Sequence, residues 1–480
     1  MSVPGAPGGA RGLDGRDGRD TAPPVDLAAA EAAVDDELEQ ALALANARRG
    51  PLRYAAASPR TDGTAPAPHA PQDTDIPHPP HRPHPPRAHD DTSWPEARRI
   101  AAAAGSPLRR ELRPLAQALG CALAEPLVAL TDLPSFDTSA MDGWAVAGPG
   151  PWRPEGRVLA GERALAALPD GHATGIATGA LLPAGTTAVL RSEYSRLGPD
   201  GLLHATRGGP GPGQDVRPRG QECRSGDELL ATGALVTPAV LGLAAAAGYD
   251  QLQVTVRPTV EILVIGDELL DRGVPGSGRV RDALGPLLPA WLAALGADVV
   301  TSRRLKDDAD LLCEAVTGSG ADLVVTTGGT AGGPVDFVHP VLARIGARLL
   351  VDGVAVRPGH PMLLAELLGD GGYLVGLPGN PLAAVSGVLT LIVPLVRRLA
   401  GRPAPVPSAV RLTGDVPGHP RDTRLVPVIL DEESRAVPLR FSGPAMLRGI
   451  ATADGMAVIP PGGAAKGDTT AVLETGWGRL

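Results

Sequence analysis

One stretch in the second half of the chain limits the possible folds more than any other. It starts with Leu323–Thr327, an apolar, β-branched run that is typical of a strand buried on both faces of a parallel sheet. Gly328 and Gly329 follow directly, and glycine allows turns and close backbone approaches that other residues do not. Asp336 then stands where a helix is expected to begin. Strand, glycine turn and helix start are typical of a ligand crevice at the carboxyl edge of an open α/β sheet, although a tight connection without a ligand has the same pattern.

The neighbouring sequence, residues 257–402, alternates between strand and helix patterns. Strands are predicted at 260–265, 298–301, 322–327 and 373–377, and helices at 287–295, 308–316 and 382–399. This order predicts a parallel sheet with right-handed crossovers, in which distant loops leave one edge together. The three loops concerned are 266–269, 328–336 and 377–381.

The flanking regions differ in composition. Residues 1–95 are dominated by Pro, Gly, Arg and His and are predicted to be mostly disordered, with one amphipathic helix pattern at 25–48. Helices are predicted at 94–100 and 112–123. The residues from 150 to 214 and those after 408 are rich in strand and turn signals, which predicts β structure in both places.

Charge, cysteine content and hydropathy narrow the functional class. The net charge of −9 argues against a nucleic-acid-binding protein, because such proteins carry a basic face. The three cysteines lie far apart, so neither a disulfide framework nor a zinc site is predicted and a cytoplasmic location is expected. Two long uncharged stretches, 229–249 and 371–396, are interrupted by Pro and Gly, and we interpret them as buried elements of a protein that does not span a membrane.

Carboxylates occur in two of the three loops. Asp267 and Asp336 would lie at the same sheet edge, where two or three oxygen ligands beside a phosphate suit Mg²⁺. Capping of a helix N-terminus is the alternative role for each of them. Glu268 is interpreted as an ordinary charge of a first helical turn.

The third loop precedes a long helix and predicts an anion site. The N–H groups and partial positive charge at such a helix start attract oxyanions. Arg357 and His360 lie on a separate proline-containing loop, where a guanidinium is able to bind phosphate with two N–H groups, although a solvated surface arginine has the same sequence signature.

Four segments together resemble one known family, the molybdopterin molybdenumtransferases, which insert molybdate into molybdopterin. They are residues 134–146 (PSFDTSAMDGWAV), 266–269 (GDEL), 326–337 (TTGGTAGGPVDF) and 376–381 (GLPGNP). Their order and spacing also agree, so the resemblance covers about residues 96–480.

The resemblance implies a multidomain fold of the α/β plus β class. Its central parallel-sheet domain, which binds molybdopterin, would comprise residues 257–402. A β-rich domain would be inserted at 128–214, and a small β domain would follow at 403–480. An elongated linker and dimerisation domain would combine residues 96–127 and 215–256.

The resemblance also implies the reaction and the partners. A homodimeric transferase would take adenylylated molybdopterin and molybdate, insert the metal at the dithiolene and release AMP with the help of Mg²⁺. The adenylyltransferase that makes the substrate and the molybdoenzymes that receive the cofactor would be its protein partners. The alternative is a non-catalytic relative that binds molybdopterin or another protein as carrier, scaffold or regulator.

The site residues follow from the resemblance position by position. Asp142, Thr178 and Glu193 would line a cleft that faces the sheet domain of the second subunit, and Glu222 stands where the family usually has Asp. The catalytic set would be Asp142, Glu222, Asp267 and Asp336. The substrate-binding set would be Thr178, Glu193, Gly328, Gly329, Arg357, His360, Pro378, Gly379, Asn380 and Pro381.

Several positions depart from the family pattern at the expected oxyanion site. Ala331 and Ala383 stand in place of serines, Pro334 in place of an aspartate, and Arg357 and His360 in place of two lysines. Each lost hydrogen bond to a charged ligand is worth about 1.5–3 kcal/mol. We therefore expect that adenylylated molybdopterin still binds but that insertion needs unusually high molybdate.

Overall fold

The computed structural model describes residues 91–162, 166–331, 336–369 and 372–477. All of them belong to one compact unit. The helix pattern at 25–48 and most of the predicted disordered extension lie outside these residues, as do Gly332, Gly333 and Pro334.

The described fold begins with a short strand and a helix, β1 (Thr92–Ser93) and α1 (Trp94–Ala103). Pro95 occupies the first turn, where a missing N–H costs no helical hydrogen bond. Trp94 is buried, and its indole N–H donates to Thr390 Oγ1 at 3.0 Å. The prediction of disorder up to residue 95 is therefore wrong for residues 92–95, and α1 packs into the core of the α/β region rather than beside the linker strands.

The prediction of a second helix at 112–123 is wrong, because several short elements stand in its place. They are β2 (Arg110–Pro114), α2 (Leu115–Ala118), β3 (Ala122–Leu123) and β4 (Leu127–Val128). Along β2, half-buried and exposed residues alternate, which is the period of a strand with one covered face.

The next elements form a small β region. They are β5 (Thr138–Ser139), β6 (Gly143–Val146), β7 (Arg153–Val158), β8 (His172–Ile176), β9 (Ala188–Arg191), a 3₁₀ turn (Ser192–Tyr194), β10 (Ser195–Leu197) and β11 (Leu203–Ala205). Four of them make one sheet in the order β7-β8-β6-β9. Side chains alternate across it, so that Ala145 and Val189 pack on one face while Val146 and Leu190 pack on the other.

The chain then returns to the linker. The returning elements are β12 (Val216–Arg217), β13 (Glu228–Leu230), α3 (Pro238–Ala246) and β14 (Gln251–Thr255). β14 pairs antiparallel with both β2 and β3. This long-range pairing explains why residues 112–123 are not one helix, since tertiary contacts override local propensity.

The α/β region follows with its own sheet. Its elements are β15 (Thr259–Ile265), β16 (Leu269–Leu270), β17 (Val280–Arg281), α4 (Leu284–Ala294), β18 (Asp298–Leu305), α5 (Ala309–Thr317), β19 (Leu323–Thr327), α6 (Val338–Arg344), β20 (Arg348–Asp352), β21 (Val354–Arg357), β22 (Leu363–Glu366), β23 (Tyr373–Leu377), α7 (Pro381–Gly387), a π-helical turn (Val388–Ile392) and α8 (Val393–Leu399). The sheet order is β18-β15-β19-β23-β22-β20. The first four strands are parallel, whereas β22 and β20 run antiparallel to their neighbours, so the predicted parallel sheet is in fact mixed.

Both faces of the central strands are buried. Val325 packs into one apolar cluster and Val324 into another on the opposite face. The continuous helical segment Pro381–Leu399 lies in the first cluster. Among the described residues it alone has the length and hydropathy to cross a membrane, and 83% of its most apolar window is buried inside the chain.

The last elements form a second large sheet. They are β24 (Ser408–Arg411), β25 (Val416–Pro417), β26 (Thr423–Leu430), β27 (Ala436–Pro438), a 3₁₀ turn (Ile450–Thr452), β28 (Gly455–Ile459), β29 (Gly463–Ala464) and β30 (Thr469–Glu474). The sheet order is β1-β21-β26-β28-β30-β24, with β27 beside β26. Because β21 belongs to this sheet, the loop that follows β21 lies against the C-terminal region.

Candidate functional site

Three central strands end side by side at one edge of the α/β sheet. Val264 of β15 pairs with Thr327 of β19, and Thr327 pairs with Leu377 of β23. The Gly328 N–H donates to the Leu377 carbonyl at 2.8 Å. The loops after these strands therefore leave the same edge, as the alternating sequence pattern predicts.

The second and third loops touch each other through glycines. Gly328 and Gly329 have φ values of 82° and 70°, a conformation that side chains disfavour. A Cβ atom on Gly379 would lie 3.7 Å from the Gly328 Cα. This edge thus offers bare backbone, on which a flat or phosphorylated ligand is able to lie closely.

The two predicted metal ligands lie in the loops that follow two adjacent strands, β15 and β19. Asp267 is exposed and leads into β16 instead of a helix. Asp336 is half-buried and lies before α6, which begins at Val338 with Phe337 in the capping position. The alternative role of helix capping is therefore wrong for Asp267, and Asp336 is not the N-cap residue of α6.

Two residues from β18 and its following loop also belong to this edge, and sequence reasoning missed them. Arg304 donates to the carbonyls of Gly266 and Leu269, at 3.3 and 2.7 Å, and so holds the first loop in place. Asp307 accepts the Asp267 N–H at 3.0 Å. The strand predicted at 298–301 was too short to place them at this edge, because β18 extends to Leu305.

A histidine lies near the second loop. His339 Nε2 lies 2.6 Å from Asp352 Oδ1, and this hydrogen bond is the main reason why the pKa of His339 is raised above its ordinary value. The negative charge of Asp336 raises the same pKa. Protonated His339 therefore places a positive charge near one of the two predicted metal ligands.

The helix start at the third loop is occupied by the C-terminal region. The N–H groups of Leu382 and Ala383 both point at the carbonyl of Pro444, at 2.9 and 3.3 Å. Pro381 has no N–H, and the Ala384 N–H is bonded inside the helix to the Asn380 carbonyl. The expectation that this helix offers unpaired N–H groups to an anion is wrong in this conformation.

Arg357 and His360 are engaged as well. The Arg357 Nε donates to Asp422 Oδ2 at 3.0 Å, and His360 Nε2 lies 2.9 Å from Asp91 Oδ2. His419 lies 3.3 Å from the Asp422 carboxylate, but its Nδ1 accepts the Asp422 N–H at 2.9 Å and therefore does not donate to that carboxylate. Arg357 and His360 were predicted to bind an oxyanion, and each of them thus faces a carboxylate from outside the α/β sheet.

A second group of predicted residues meets in the small β region. Asp142 Oδ1 accepts the N–H of Thr178 at 2.7 Å and its hydroxyl at 2.9 Å. These two bonds, the backbone one first, lower the pKa of Asp142 below its ordinary value. The carboxylate is exposed and ionised, and its Oδ2 has no hydrogen-bond partner among the described residues.

Glu193 belongs to the same group. It is exposed in the 3₁₀ turn after β9, next to Ser192, whose N–H and hydroxyl both bond to the Asp142 carbonyl at 3.1 Å. Gly143 is required here, because a Cβ atom would come within 2.2 Å of the Leu190 carbonyl. The structure therefore brings together the three residues that the family resemblance groups.

Glu222 lies apart from both groups. It lines an open cavity of about 710 Å³ between the linker and the small β region, together with Arg217, Thr138 and one face of α3. Within the described chain, no hydrogen bond or ion pair joins the Asp142 group to the edge of the α/β sheet.

The carboxylates of Asp267 and Asp336 fit only a Mg²⁺ site to which a bound substrate also contributes ligands. The residues that the structure describes include no group of three or more His, Cys, Asp or Glu side chains placed to hold a metal. Mg²⁺ is commonly held by one or two carboxylates together with substrate phosphates. Asp267 and Asp336 therefore suit a site that the substrate completes, not one built by protein alone.

Three family models match this chain in order. Residues 92–248 match the MoeA N-terminal region (domain I and II), residues 261–398 match a probable molybdopterin binding domain, and residues 409–474 match the MoeA C-terminal region (domain IV).

Curated relatives and solved structures agree with these matches. A molybdopterin molybdenumtransferase of Synechococcus elongatus is 34% identical over 62% of this chain and 77% of its own length. A molybdopterin molybdenumtransferase of Staphylococcus aureus is 30% identical over 72% of this chain and 86% of its own. The crystal structure of a molybdopterin biosynthesis MoeA protein from Pyrococcus horikoshii superposes with a TM-score of 0.65 at 26% identity, over 80% of this chain and 99% of that one.

Proposed function

Since this chain belongs to the molybdopterin molybdenumtransferase family, whose members are transferases of molybdenum cofactor biosynthesis, we propose that it inserts molybdate into adenylylated molybdopterin and releases AMP. The observation that carries the proposal is the convergence of three loops at one sheet edge. There, glycine backbone and the two carboxylates of Asp267 and Asp336 belong to loops that leave the same edge.

The sheet edge would bind the phosphorylated end of the substrate. Gly328 and Gly329 leave room for a phosphate to approach the backbone closely. Asp267 and Asp336 would hold Mg²⁺ together with that phosphate, and the bound ion would polarise the phosphoanhydride as a Lewis acid. Arg304 and Asp307 keep the first loop, and therefore Asp267, in position.

The Asp142 group would act on the other side of the substrate. Thr178 fixes one carboxylate oxygen of Asp142 with two hydrogen bonds, which leaves the second oxygen to accept a proton or a hydrogen bond from the substrate. Glu193 adds a second negative charge beside it. Glu222 lines a separate cavity, and its role in the reaction rests on the family resemblance alone.

A homodimer would bring the two groups into one cleft. The helix α3 is apolar throughout (PAVLGLAAA), yet only Ala244 of its nine residues is buried within the chain. Leu112 and Leu130 of the linker are also more than half exposed, at 58% and 56%. An exposed apolar face of this kind marks an interaction surface, and a second copy of the chain is the occupant that the family fold implies.

We further propose a cytoplasmic location and two kinds of protein partner. The adenylyltransferase that makes the substrate would deliver it, and molybdoenzymes would receive the product. The carrier alternative predicts substrate binding without AMP release, and no contact in the structure favours it.

The direct test is to incubate the full chain with adenylylated molybdopterin, molybdate and Mg²⁺, and to measure AMP and active cofactor. Asp142→Asn and Asp336→Asn should each lower product formation at least about tenfold while the melting temperature stays unchanged, since both keep side-chain shape and remove charge. Asp468→Asn is the matched control, because that carboxylate also accepts a backbone N–H, from Ala465 at 2.8 Å, but lies in the turn between β29 and β30 of the C-terminal region. Substrate binding without AMP release by the parent chain would establish the carrier role instead.

A further inference from the structure

A second cavity, lined by three arginines, lies where the α/β region, the C-terminal sheet and the segment between them meet. Its volume is about 360 Å³, at the small end of the range for ligand pockets. Arg98, Arg397 and Arg402 all line it. Arg98 comes from α1, Arg397 from α8, and Arg402 from the segment after α8.

This cavity is remote from the sheet edge that would bind molybdopterin. The helical segment Pro381–Leu399 starts at that edge and runs back across the sheet, and Arg397 lies close to its far end. At 1.5 Å per residue, Arg397 lies about 24 Å along the helix from Pro381. The cavity also contacts Leu295 at the end of α4, a helix that runs in the same direction from the strand before it.

The three guanidinium groups have no carboxylate partner. Within the described part of the chain, none of them forms an ion pair. Each donates one hydrogen bond to a main-chain carbonyl: Arg98 to Leu389, Arg397 to Pro403 at 2.9 Å, and Arg402 to Leu295 at 3.3 Å. A guanidinium carries five N–H donors, so most donors of the three groups remain available.

Holding these charges together is unfavourable without an anion. Burial lowers the pKa of Arg98 to about 10, and burial also lowers the pKa of Arg397. The pKa of Arg402 is lowered first by burial and then by the charge of Arg397. Structural capping of helix ends would explain each arginine singly, but it does not explain why three converge on one cavity.

The remaining walls suggest the shape of the ligand. Leu389, Val393 and Val472 make one apolar side, and Val406, which is 91% exposed, stands at the mouth. Glu474 also lines the cavity and partly offsets the positive charge. We propose that this cavity binds a small phosphorylated molecule, with its phosphate on the three arginines and its organic part against the apolar side.

Calorimetric titration of the full chain tests the proposal. The probes are inorganic phosphate, pyrophosphate and ribose 5-phosphate. Arg397→Gln and Arg402→Gln should each weaken binding about tenfold or more, because each removes a charge-assisted contact. We expect ribose 5-phosphate to bind tightest, and tightest binding by pyrophosphate would contradict the proposed organic part of the ligand.

Two control variants test whether the phosphate occupies this cavity and no other place on the chain. Arg398→Gln should change nothing, because Arg398 is exposed on the same helix, donates to Gly105 instead and does not line the cavity. Asp267→Asn should also leave phosphate binding intact, since it changes only the sheet edge that would bind the phosphorylated substrate. If Arg402→Gln unfolds, Arg402→Lys replaces it in the test. This variant keeps the positive charge and should weaken phosphate binding less than Arg397→Gln does.

The proposal is wrong if no probe binds at millimolar concentration, or if Arg398→Gln weakens binding as much as Arg397→Gln. A change of phosphate binding in Asp267→Asn would equally overturn it, because the phosphate would then occupy the sheet edge of the proposed transferase site. These outcomes do not depend on whether the chain inserts molybdate.

Discussion

Asp422→Asn should lower the molybdate concentration that insertion requires. The Asp422 side chain is 11% exposed and that of its partner Arg357 is 29% exposed, so the ion pair between them is largely shielded from water. While the ion pair persists, the negative charge of Asp422 offsets the positive charge that Arg357 would present to an oxyanion. Asparagine keeps the shape and removes the charge of Asp422, so this carboxylate no longer competes with molybdate for the guanidinium.

The expected magnitudes follow from the burial of this pair. A hydrogen bond from a guanidinium to a charged ligand is worth about 1.5–3 kcal/mol, which corresponds to roughly a tenfold to 150-fold lower half-saturating molybdate concentration. Stability should fall at the same time. Exposed pairs contribute up to about 1 kcal/mol and breaking buried pairs costs about 3–5, so we expect a loss of about 2 kcal/mol here.

The assay is AMP release and cofactor formation against molybdate concentration, with thermal unfolding measured in parallel. Asp431→Asn is the matched control, because Asp431 pairs with Arg435 at 2.8 Å in the turn that follows β26, whereas Asp422 precedes β26. It should cost stability without changing the molybdate requirement. If Asp422→Asn instead needs more molybdate than the parent, Asp422 orients Arg357 for the substrate and the reasoning is refuted.

Three further predictions concern other parts of the chain. Removal of residues 1–90 should leave the melting temperature unchanged, whereas removal of residues 1–95 should lower it, because the longer cut deletes β1 and the start of α1; equal melting temperatures would contradict the pairing of β1. The pKa of His339 is raised in the fold, so the contribution of its protonated form to stability is complete below pH 6.5, the ordinary value, and is lost as pH rises through the raised pKa. His339→Gln should therefore destabilise the chain at low pH and progressively less at higher pH, as measured by thermal unfolding. A difference in stability that does not depend on pH would exclude this origin. The double change Ala331→Ser with Ala383→Ser should lower the half-saturating molybdate concentration in the insertion assay, and saturation of the parent chain at low micromolar molybdate would show that these departures do not matter.

Local pattern was sufficient for the strands and loops of the α/β region. Residues Tyr373–Leu377 form a strand as predicted, and the convergence of the loops follows from the parallel order of the central strands. Apolar runs bounded by glycine are short-range signals, and the handedness of crossovers then leaves few arrangements. The antiparallel strands β20 and β22 were missed, because a βαβ rhythm alone does not reveal where the chain reverses.

Sequence was insufficient wherever a contact joins distant segments. The helix predicted at 112–123 is replaced by strands, because β2 finds its partner more than a hundred residues later. The same limit applies to the carbonyl of Pro444, which occupies the N–H groups of Leu382 and Ala383. Nothing in the local sequence of that helix indicates that a loop of the C-terminal region covers its start.

The loop that carries Arg357 and His360 departs from the family pattern in its contacts as well as in its sequence. Arg357 and His360 replace two lysines, and each of them faces a carboxylate, from Asp422 and Asp91. These contacts occupy donors of the loop and place two carboxylates beside it, which disfavours the approach of an oxyanion. An unmatched lysine would keep its full charge, since a compact ammonium on a flexible stem follows the ligand rather than a fixed fork partner.

The same pairing ties the loop to elements on both sides of it. Asp91 immediately precedes β1, Asp422 precedes β26, and both strands flank β21 in one sheet. Separation of β26 from β21 would part Arg357 from Asp422 and the helix start from Pro444 together, because Asp422 and Pro444 belong to the same region. A weak oxyanion site in the present conformation is thus compatible with turnover, provided that opening of this contact precedes molybdate binding. In that case, Asp422→Asn should increase the rate of insertion most at low molybdate and hardly at all at saturation, since it removes a competitor of the ligand and not a catalytic group.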